Sequence, residues 1–343
     1  MKKLSGFNKI VFWLNIVFTV LTVIAYILPF MAPKVFPLLS VFTLLMPLML
    51  VINGFFFLYW LVQVKRQMLL SGLVLLLGIT FVNKFYRFSA KDIAHEQGDF
   101  TLMSYNVRLF NLYEWLPDSL IPKKIPAFVK EQNPDIVCLQ EYNKLGDTSF
   151  TQYKHKFIFV PRGQAGHAIF SRFPIIGTGD IQFPGSANNA VYADIKKGDD
   201  TLRVYSMHLQ SIKISPDIHE NIDEQKGKVI FNRISEAFKR QQLQAELVQK
   251  HKELCRYPMI VCGDLNNSAF SYVYRSVRGN MNDAFEEAGG GFGRSYNYKY
   301  YPARIDYIFT DKALEVKKYQ TFSNFINSDH FPVMTRLGLI KED

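Results

Sequence analysis

The first ninety residues contain three long apolar runs that carry no charged residue. They cover residues 10–28, 35–64 and 68–82. At 1.5 Å per helical residue, the first two are long enough to cross a hydrocarbon layer about 30 Å thick. The third is shorter and spans fully only if the charged groups that follow it reach back to the membrane surface. The pattern predicts a membrane anchor over residues 1–90 with three transmembrane helices.

A cleaved signal peptide would be the alternative explanation of the first apolar run. No small-residue cleavage site follows this run, and two further apolar runs do. We therefore expect an uncleaved anchor that has the lipid bilayer as its partner. Several uncleaved spans and few cysteines are compatible with the inner membrane of a bacterium.

The basic residues around the apolar runs predict how the anchor is oriented. Lys2, Lys3 and Lys9 precede the first run, and Lys65 with Arg66 separates the second from the third. Because cytoplasmic loops are enriched in Lys and Arg, both positions are expected in the cytoplasm. Three crossings would then make the C-terminal region extracytoplasmic. Three basic residues just after the third run favour the opposite side, and a third run that does not cross would leave this region cytoplasmic.

From Phe100 onward the pattern changes to short apolar runs separated by turns, which is typical of β-strands. Residues 122–132 and 230–254 instead have apolar residues at helical spacing. Many short strands combined with helices predict an α/β domain over residues 91–343, in which packed sheets are covered by helices. The predicted strands cover residues 100–107, 136–140, 156–159, 168–171, 190–195, 202–208, 259–262, 305–309 and 333–337.

Two polar segments, residues 211–227 and 288–301, are predicted to be loops that reach over one end of the sheets. The second contains a run of three glycines followed by four tyrosines. No Lys-Ser or Lys-Thr pair follows the glycines, so a phosphate-binding P-loop is not indicated. For the alternating tyrosines, an edge strand with one exposed face is favoured over a platform for stacking bases.

The charge of the chain is unevenly distributed. No acidic residue precedes Asp92, whereas nine of the 40 Lys and Arg residues lie before it. The formal net charge of +10 therefore comes mainly from the anchor, and residues 92–343 are close to neutral. This near-neutral region gives no general support for binding of polyanionic nucleic acid.

The three cysteines indicate neither a zinc site nor a redox pair. Cys138, Cys255 and Cys262 have no C-x-x-C spacing. Cys138 and Cys262 lie inside apolar strand runs, where cysteine usually behaves as a small buried hydrophobic residue.

Acidic, amide or imidazole side chains lie at the ends of several apolar runs, at positions where a sheet would leave them at its edge. They occur in Ser104-Tyr105-Asn106-Val107, Asp135-Ile136-Val137-Cys138-Leu139-Gln140-Glu141, Gly263-Asp264-Leu265-Asn266, Arg304-Ile305-Asp306-Tyr307-Ile308 and Ser328-Asp329-His330-Phe331-Pro332-Val333. One such motif is common, but all of them in this order are a specific pattern. Over residues 98–340 the chain resembles the endonuclease/exonuclease/phosphatase superfamily of metal-dependent phosphodiesterases and phosphatases.

This resemblance implies a fold and a metal. The fold would be the family's four-layer α/β sandwich, of the α+β type, with helices flanking its sheets. Glu141 matches the family's principal metal ligand, and Asn106 and Asp329 match positions that complete the coordination directly or through water. Oxygen ligands suit Mg²⁺, with Mn²⁺ as the alternative. The metal would polarise a phosphoryl oxygen and stabilise the leaving oxygen.

The resemblance also implies catalytic roles. Asp264 matches the carboxylate that orients or deprotonates the attacking water, and Asn266 can donate a hydrogen bond to a phosphoryl oxygen. His330 matches the family's catalytic histidine, and Asp306 would fix its tautomer and favour its charged form. Whether this ring acts as a cation or as a base stays open. His208 lies where deoxyribonuclease-like and sphingomyelinase-like members carry histidine.

Two further polar residues are expected to be neither metal ligands nor catalytic groups. Arg108 lies where some relatives carry an acidic residue near the metal, and it either binds phosphate or faces solvent. Asp283 matches a frequent family aspartate whose role is expected to be structural.

Together, these observations predict a membrane-anchored, Mg²⁺-dependent phosphoesterase, and more specifically a phosphodiesterase. Its substrate would be a phosphodiester in a lipid headgroup or in nucleic acid. An extracytoplasmic nuclease would use the same residues and is the nearest alternative. A non-catalytic membrane receptor or scaffold that retains the fold is the second alternative. The complete polar set argues against it, because a protein without chemistry would be free to lose some of these residues.

Overall fold

The computed structural model describes residues 4–144, 150–161, 165–212 and 224–340. Its N-terminal part is helical, and its C-terminal part is built around two β-sheets. The helices of the N-terminal part are α1 (Gly6–Ile27), α2 (Pro37–Val41), α3 (Met46–Val62), α4 (Met68–Leu77) and α5 (Ile79–Phe85).

Two of the three predicted membrane spans are continuous helical segments. Gly6–Phe30 and Pro37–Val62 are both long and apolar enough to cross a membrane. The third is broken, since α4 and α5 meet at a bend of 72°. Gly78 lies at this bend, where a Cβ atom would come within 1.9 Å of the hydroxyl oxygen of Tyr26. The third apolar run is therefore not one straight helix, and its geometry is that of a broken span or a re-entrant loop.

Polar side chains join the long apolar helices to one another. Asn15 of α1 accepts a hydrogen bond of 2.7 Å from the hydroxyl of Ser71 in α4. Asn53 of α3 donates one of 2.7 Å to the hydroxyl of Thr22 in α1. All four side chains are buried. Because water does not compete for these groups, the bonds favour one mutual orientation of the helices.

Two six-stranded sheets form the C-terminal part. The strands are β1 (Phe100–Asn106), β2 (Ile136–Tyr142), β3 (His155–Phe159), β4 (Gly166–Ser171), β5 (Ile175–Gln182), β6 (Asn189–Lys197), β7 (Asp200–His208), β8 (Met259–Asp264), β9 (Asn282–Asp283), β10 (Asp306–Thr310), β11 (Leu314–Thr321) and β12 (Val333–Leu339). The first sheet has the order β11-β12-β1-β2-β4-β3, and the second β5-β6-β7-β8-β10-β9. The neighbours β1 and β2 are parallel, as are β7 and β8, and the other pairs are antiparallel.

Helices cover the outer faces of both sheets. α6 (Ile121–Gln132) packs on the first sheet, where Val129 shares a buried cluster with Met103 of β1. α7 (Glu224–Glu253) and α8 (Tyr272–Arg278) pack on the second sheet in another buried cluster. These helices owe their position to apolar residues on one face, which are removed from water when they contact the sheet.

The inner faces of the two sheets share a third buried cluster. It brings Leu102 and Ile136 of the first sheet together with Val204 and Ile260 of the second. The short helix α9 (Ala284–Ala288) contributes to the same cluster. The resulting order of layers, helix, sheet, sheet and helix, confirms the predicted α/β sandwich.

The predicted elements agree closely with those of the structure. All nine predicted strands are present with ends that shift by no more than two residues, whereas β5, β9 and β11 were not predicted. Of the predicted loop 211–227, residues 213–223 lie outside the described residues, and residues 224–227 belong to α7. The expected edge strand of tyrosines is wrong, because Tyr296 forms only isolated bridges to Ala303 and His330.

The segment that follows α5 is fastened to the C-terminal part. Arg87 exchanges two backbone hydrogen bonds of 2.8 Å with Gly291. The Asp92 carboxylate lies 2.6 Å from the ammonium group of Lys318. The backbone N–H of Ile93 donates a bond of 3.0 Å to a neighbouring carbonyl oxygen in β11. This segment is thus held along its length.

The ends of the N-terminal helices contact the C-terminal part directly. The backbone N–H of Lys34, in the connection between α1 and α2, donates a hydrogen bond of 2.7 Å to Gln242 of α7. The rings of Phe81 in α5 and Phe270 stack with centroids 6.3 Å apart. The connection from α1 to α3 and the end of α5 therefore lie on the same side of the helices, next to the sheets.

Candidate active site

The strand register brings three of the predicted residues side by side. His208, Asp264 and Asp306 lie on the adjacent strands β7, β8 and β10. In this pairing, Asp264 is opposite His208 on one side and opposite Asp306 on the other. Asn106 ends β1 of the other sheet and contacts Asp264. Polar side chains from both sheets thus converge at one edge of the sandwich.

A β-bulge directs Glu141 toward this edge. In the pairing of β2 with β4, Gln140 lies opposite His167 and Tyr142 lies opposite Gly166, so Glu141 is the extra residue of the bulge. Its φ of 49° lies in the left-handed region that residues with side chains rarely adopt. Bulges of this kind redirect side chains next to active sites.

Asn106 bridges the carboxylates of the two sheets. Its amide nitrogen Nδ2 donates to Oε1 of Glu141 at 3.3 Å and to Oδ2 of Asp264 at 3.1 Å. Its oxygen Oδ1 accepts a bond of 3.0 Å from the backbone N–H of Arg108. Burial raises the pKa of Glu141, and the charged His330 nearby opposes this rise.

His330 and Asp306 form a buried carboxylate–imidazole pair. Nδ1 of His330 lies 2.9 Å from Oδ2 of Asp306, and its Nε2 lies 3.5 Å from Oδ2 of Asp264. Burial alone would lower the pKa of His330, but the carboxylates of Asp306 and Asp264 outweigh it and raise this pKa well above its usual value. The ring is therefore charged at neutral pH.

The turn that carries His330 is fixed by hydrogen bonds. The Ser328 hydroxyl donates a bond of 2.9 Å to the carbonyl oxygen of Asn106 and accepts one of 3.2 Å from the backbone N–H of His330. Between them, the carboxylate of Asp329 lies 3.4 Å from Nε of Arg108. Asp329 is thus at the predicted edge, where it faces a guanidinium group.

Asp264 is held by the residues that follow its strand. Its Oδ1 accepts a hydrogen bond of 2.7 Å from the backbone N–H of Asn266, and its Oδ2 accepts one of 3.1 Å from Nδ2 of the same residue. Nδ2 of Asn266 also donates to the carbonyl oxygen of Leu209 at 3.1 Å. In this arrangement Asn266 positions Asp264, and both its amide hydrogens are engaged. Burial raises the pKa of Asp264 to about 6, and the charged His330 limits this rise.

His208 lies between the carboxylates and is neutral. Its Nε2 is 3.6 Å from Oε1 of Glu141 and 3.6 Å from Oδ2 of Asp264. Burial lowers the pKa of His208, although the Asp264 carboxylate opposes this. Nε2 is buried and has no hydrogen-bond partner among the described residues. A buried polar atom of this kind indicates room for a further group at the site.

A buried polar layer beneath the site was not predicted. Nε2 of Gln140 donates to the hydroxyl oxygens of Ser206 at 2.9 Å and of Ser104 at 3.2 Å, and so ties the two sheets together. Nδ1 of His167 lies 3.1 Å from the Ser206 hydroxyl. Burial lowers the pKa of His167 to about 3, which keeps this ring neutral. His167 is packed in the interior.

Arg108 lies at the rim of the site. Besides its contact with Asp329, its guanidinium group stacks 4.5 Å from the ring centroid of Trp115. Residues 108–111 all have φ values between 43° and 63°, so the backbone makes a left-handed turn here. This turn holds the guanidinium group against the site, and a planar, stacked cation of this kind suits recognition of phosphate.

Three of these residues can supply ligands to a metal ion. One ligand atom from each of Asp264, Asp306 and His330 lies within 4.8 Å of the others, so this group can hold a metal. Asp306, however, is already bonded to Nδ1 of His330. The charged ring has no lone pair for a metal, and ligation by it would require loss of its proton.

The predicted oxygen ligands offer a second placement of a metal at the same edge. Glu141 and Asn106 are within 3.3 Å of each other, and the carboxylate of Asp329 is close enough to raise the pKa of Glu141. Burial makes the carboxyl group of Glu141 harder to ionise, and a divalent cation bound here would favour its charged form.

The loop of residues 288–301 reaches the site, as predicted. The ring of Tyr296 lies 5.0 Å from that of His330 in an edge-on arrangement. The backbone N–H of Asn297 donates a bond of 2.7 Å to the carbonyl oxygen of Asp329. The loop therefore packs directly on the turn that carries the histidine.

Asp283 has the expected structural contacts. Its Oδ2 lies 2.7 Å from Nη1 of the buried Arg304 and accepts a bond of 2.7 Å from the hydroxyl of Tyr274. Its Oδ1 accepts a bond from the backbone N–H of Phe285 and so caps α9.

A sandwich of two mixed sheets with carboxylates and histidines at its strand ends defines a class of phosphoester hydrolases. The model of the Endonuclease/Exonuclease/phosphatase family matches residues 103–330, and the chain belongs to this family. Members of the family hydrolyse phosphoester bonds and typically depend on a divalent metal. A domain of unknown function matches residues 8–85. No curated protein matches the chain.

Several solved structures share the fold at low sequence identity. An endonuclease/exonuclease/phosphatase family protein from Bacteroides thetaiotaomicron is 20% identical, with a TM-score of 0.54, over 72% of this chain and 100% of that one. TDP2 of D. rerio, complexed with a single-strand DNA product, is 17% identical, with a TM-score of 0.54, over 71% of this chain and 100% of that one. The mannosyl-6-phosphatase of Bacteroides thetaiotaomicron is 20% identical, with a TM-score of 0.52, over 69% of this chain and 99% of that one.

Proposed function

We propose that the protein is a membrane-anchored, divalent-metal-dependent phosphodiesterase. The observation that carries the proposal is the convergence at one edge of Asp264, the His330–Asp306 pair and Glu141. A buried carboxylate with a raised pKa beside a charged imidazole is a suitable proton acceptor and cation for hydrolysis of a phosphate ester. The two long apolar helices support the anchor.

In the proposed reaction a water molecule attacks phosphorus while Asp264 orients it and accepts its proton. The phosphorus–oxygen bond to the leaving alcohol then breaks. The charged ring of His330, held by Asp306, stabilises the negative charge that develops on the phosphoryl oxygens. The unpartnered Nε2 of the neutral His208 is available for a hydrogen bond to the same phosphate, and Arg108 supplies a second cation at the rim.

Glu141, Asn106 and Asp329 would hold the metal, Mg²⁺ or Mn²⁺, through oxygen atoms. For Asn106 this requires its amide to turn, because Nδ2 faces Glu141 and Oδ1 accepts from the backbone N–H of Arg108. When bound, it would polarise a phosphoryl oxygen and neutralise the leaving oxygen. The alternative placement at Asp264, Asp306 and His330 requires breaking the carboxylate–imidazole pair, and for this reason we favour the oxygen set.

The proposal predicts metal-dependent hydrolysis of a simple phosphodiester. The full chain in detergent should hydrolyse bis(p-nitrophenyl) phosphate with Mg²⁺, lose activity in excess chelator, and recover when Mg²⁺ returns. Glu141→Gln should require on the order of 10–100-fold more Mg²⁺. Glu131→Gln makes the same change at an exposed position of α6 and should behave as wild type. Full activity in excess chelator would end the metal-hydrolase proposal.

We propose that the catalytic part is extracytoplasmic and that the chain resides in the inner membrane of a bacterium. The contacts of Lys34 and Phe81 with the C-terminal part support this. They place the C-terminal part at one end of the helices, whereas the loop with Lys65 and Arg66 lies at the opposite end. Loops rich in Lys and Arg usually lie in the cytoplasm, so the C-terminal part is expected on the opposite side. A reporter active only outside the cytoplasm, fused after the last residue, should be active, and deletion of residues 68–82 should invert it. An inactive reporter on the intact chain would contradict three crossings.

A nuclease is the nearest alternative. The ring of Trp115 is 41% exposed beneath Arg108, and exposed aromatic rings at a site can stack bases. The near-neutral charge of the C-terminal region argues against it. Parallel assays with plasmid DNA and with phospholipid vesicles distinguish the two. A scaffold without activity is disfavoured because the polar set is complete and its members contact one another.

A further inference from the structure

A groove runs along the bent helix pair α4–α5. Its lining includes Leu50 and Phe57 of α3, Leu76 of α4, Ile79 of α5 and Phe292 of the C-terminal part. Its volume is about 570 Å³, within the roughly 300–1,000 Å³ of ligand pockets. The side chains that line it are apolar or aromatic. The groove therefore suits a hydrocarbon chain better than a polar ligand.

The groove meets a small cleft beside the C-terminal part. Phe85 and Phe292 line its end and also line a small cleft between the helix ends and the C-terminal part. Ser268 and Tyr301 contribute to this cleft. Ser268 lies two positions after Asn266, which holds the carboxylate of the proposed base.

One loop connects the groove with the catalytic histidine. It begins at Phe292 in the groove and reaches Tyr301 in the cleft. Between them, Tyr296 packs edge-on against His330 at 5.0 Å. A molecule that occupies the groove would thus contact the loop that also packs on the site.

Basic side chains lie where the groove meets the C-terminal part. Lys84 and Arg304 both line the small cleft. Arg304 is paired with Asp283, whereas the ammonium group of Lys84 lies 5.0 Å from the ring centroid of Tyr274. The charge of Arg304 is thus offset by Asp283. The ammonium group of Lys84 is left to match the anionic phosphate of a phospholipid, which lies at the boundary between hydrocarbon and water.

We infer that the groove holds an acyl chain of a membrane phospholipid and that the phosphodiester of this lipid's headgroup is the substrate. The inference rests on the proposed function and narrows its substrate class. The groove lies among helices that are apolar enough to cross a membrane. Within a membrane, lipids are the ligands that could enter it. Its cationic end adjoins the loops of the active site.

Two neighbouring leucines allow a matched test. The side chains of Leu76 and Leu77 are 67% and 66% exposed, so both positions should accept a larger residue without loss of folding. Of the two, Leu76 belongs to the lining of the groove. Leu76→Trp would fill part of the groove, and Leu77→Trp adds the same ring elsewhere on α4.

The wild type and both variants, as full chains in detergent, are illuminated with phosphatidylglycerol that carries a diazirine in one acyl chain. Mass spectrometry should locate crosslinks at groove residues in the wild type and in Leu77→Trp. In Leu76→Trp these crosslinks should fall about ten-fold, the factor that corresponds to displacing two buried methylene groups. Hydrolysis of the phospholipid should fall to the same extent, and hydrolysis of bis(p-nitrophenyl) phosphate should not change.

The outcomes separate this inference from the proposed function. Unchanged phospholipid hydrolysis in Leu76→Trp, or crosslinks outside the groove, would overturn the lipid route. So would a wild type that hydrolyses only the soluble diester, and in each of these cases the phosphodiesterase proposal would stand. Absence of hydrolysis of the soluble diester by the wild type would overturn the proposed function, and the lipid route with it.

Discussion

Asp264→Asn is expected to lower phosphodiester hydrolysis by about 10²–10⁴-fold, the range for loss of a general base. The amide keeps the size of the side chain, but it can neither accept the proton of water nor match the donors of Asn266 and Asn106. Wild-type activity should rise with pH through about 6, the pKa to which burial raises Asp264. The residual activity of the variant should lack this dependence.

Thermal unfolding provides the control for this variant. Folding raises the pKa of Asp264 from 3.8 to about 6. Ionisation of this group therefore destabilises the fold increasingly between these two pH values, and by a constant amount above about 6. The neutral side chain of Asp264→Asn removes this destabilisation but also weakens the hydrogen bonds to Asn266 and Asn106. Because the two effects oppose each other, the Tm at pH 8 should stay close to that of the wild type. A variant that keeps more than a tenth of wild-type activity would show that Asp264 is not the base.

His330→Ala should lower activity by about 10³-fold, and Asp306→Asn by less, because the ring remains but loses its partner at 2.9 Å. Residues that act as one unit have non-additive effects, so the double variant should be scarcely worse than His330→Ala alone. Defects that multiply in the double variant would assign the two residues independent roles, with Asp306 then a metal ligand.

The pH profile supplies a second measurement of the same pair. Asp306 raises the pKa of His330 against the effect of burial. If the charged ring is the active form, wild-type activity should decline as the pH rises through this pKa. In Asp306→Asn the contribution of this carboxylate to the pKa of His330 is lost, so the decline should move to lower pH. In the double variant it should be absent.

The position of the site residues at one edge was predictable because each lies at one end of an apolar run. Asn106, Asp264 and Asp306 end or begin their strands, and adjacent strands that end at one edge bring such residues together. The bulge at Glu141 has no comparable signal, because its φ of 49° depends on the pairing of β2 with β4. The strand pattern and the family resemblance therefore predicted which residues lie at this edge, but not the direction in which each side chain points.

Other features depend on partners that are distant along the chain. Gln140 and Ser206 are 66 residues apart, so neither shows in its own segment that it lies in a buried polar layer. The strand β11 was missed because its alternation is interrupted by a bulge near Lys317, a buried lysine that pairs with Asp99. The third apolar run was predicted from composition, which does not record the bend at Gly78.

The bonds that join Arg87, Asp92 and Ile93 to the C-terminal part fix the position of the site relative to the N-terminal helices. A loose connection between α5 and β1 could extend by roughly 45–50 Å, at 3.3–3.6 Å per residue, and would let the sheets sample a wide volume. Because the connection is held by these bonds, the distance between the site and the ends of the helices stays constant. If the substrate is the membrane lipid proposed above, the site encounters it by diffusion within the plane of the membrane. Its rate should then follow the mole fraction of substrate among the lipids rather than its concentration in solution.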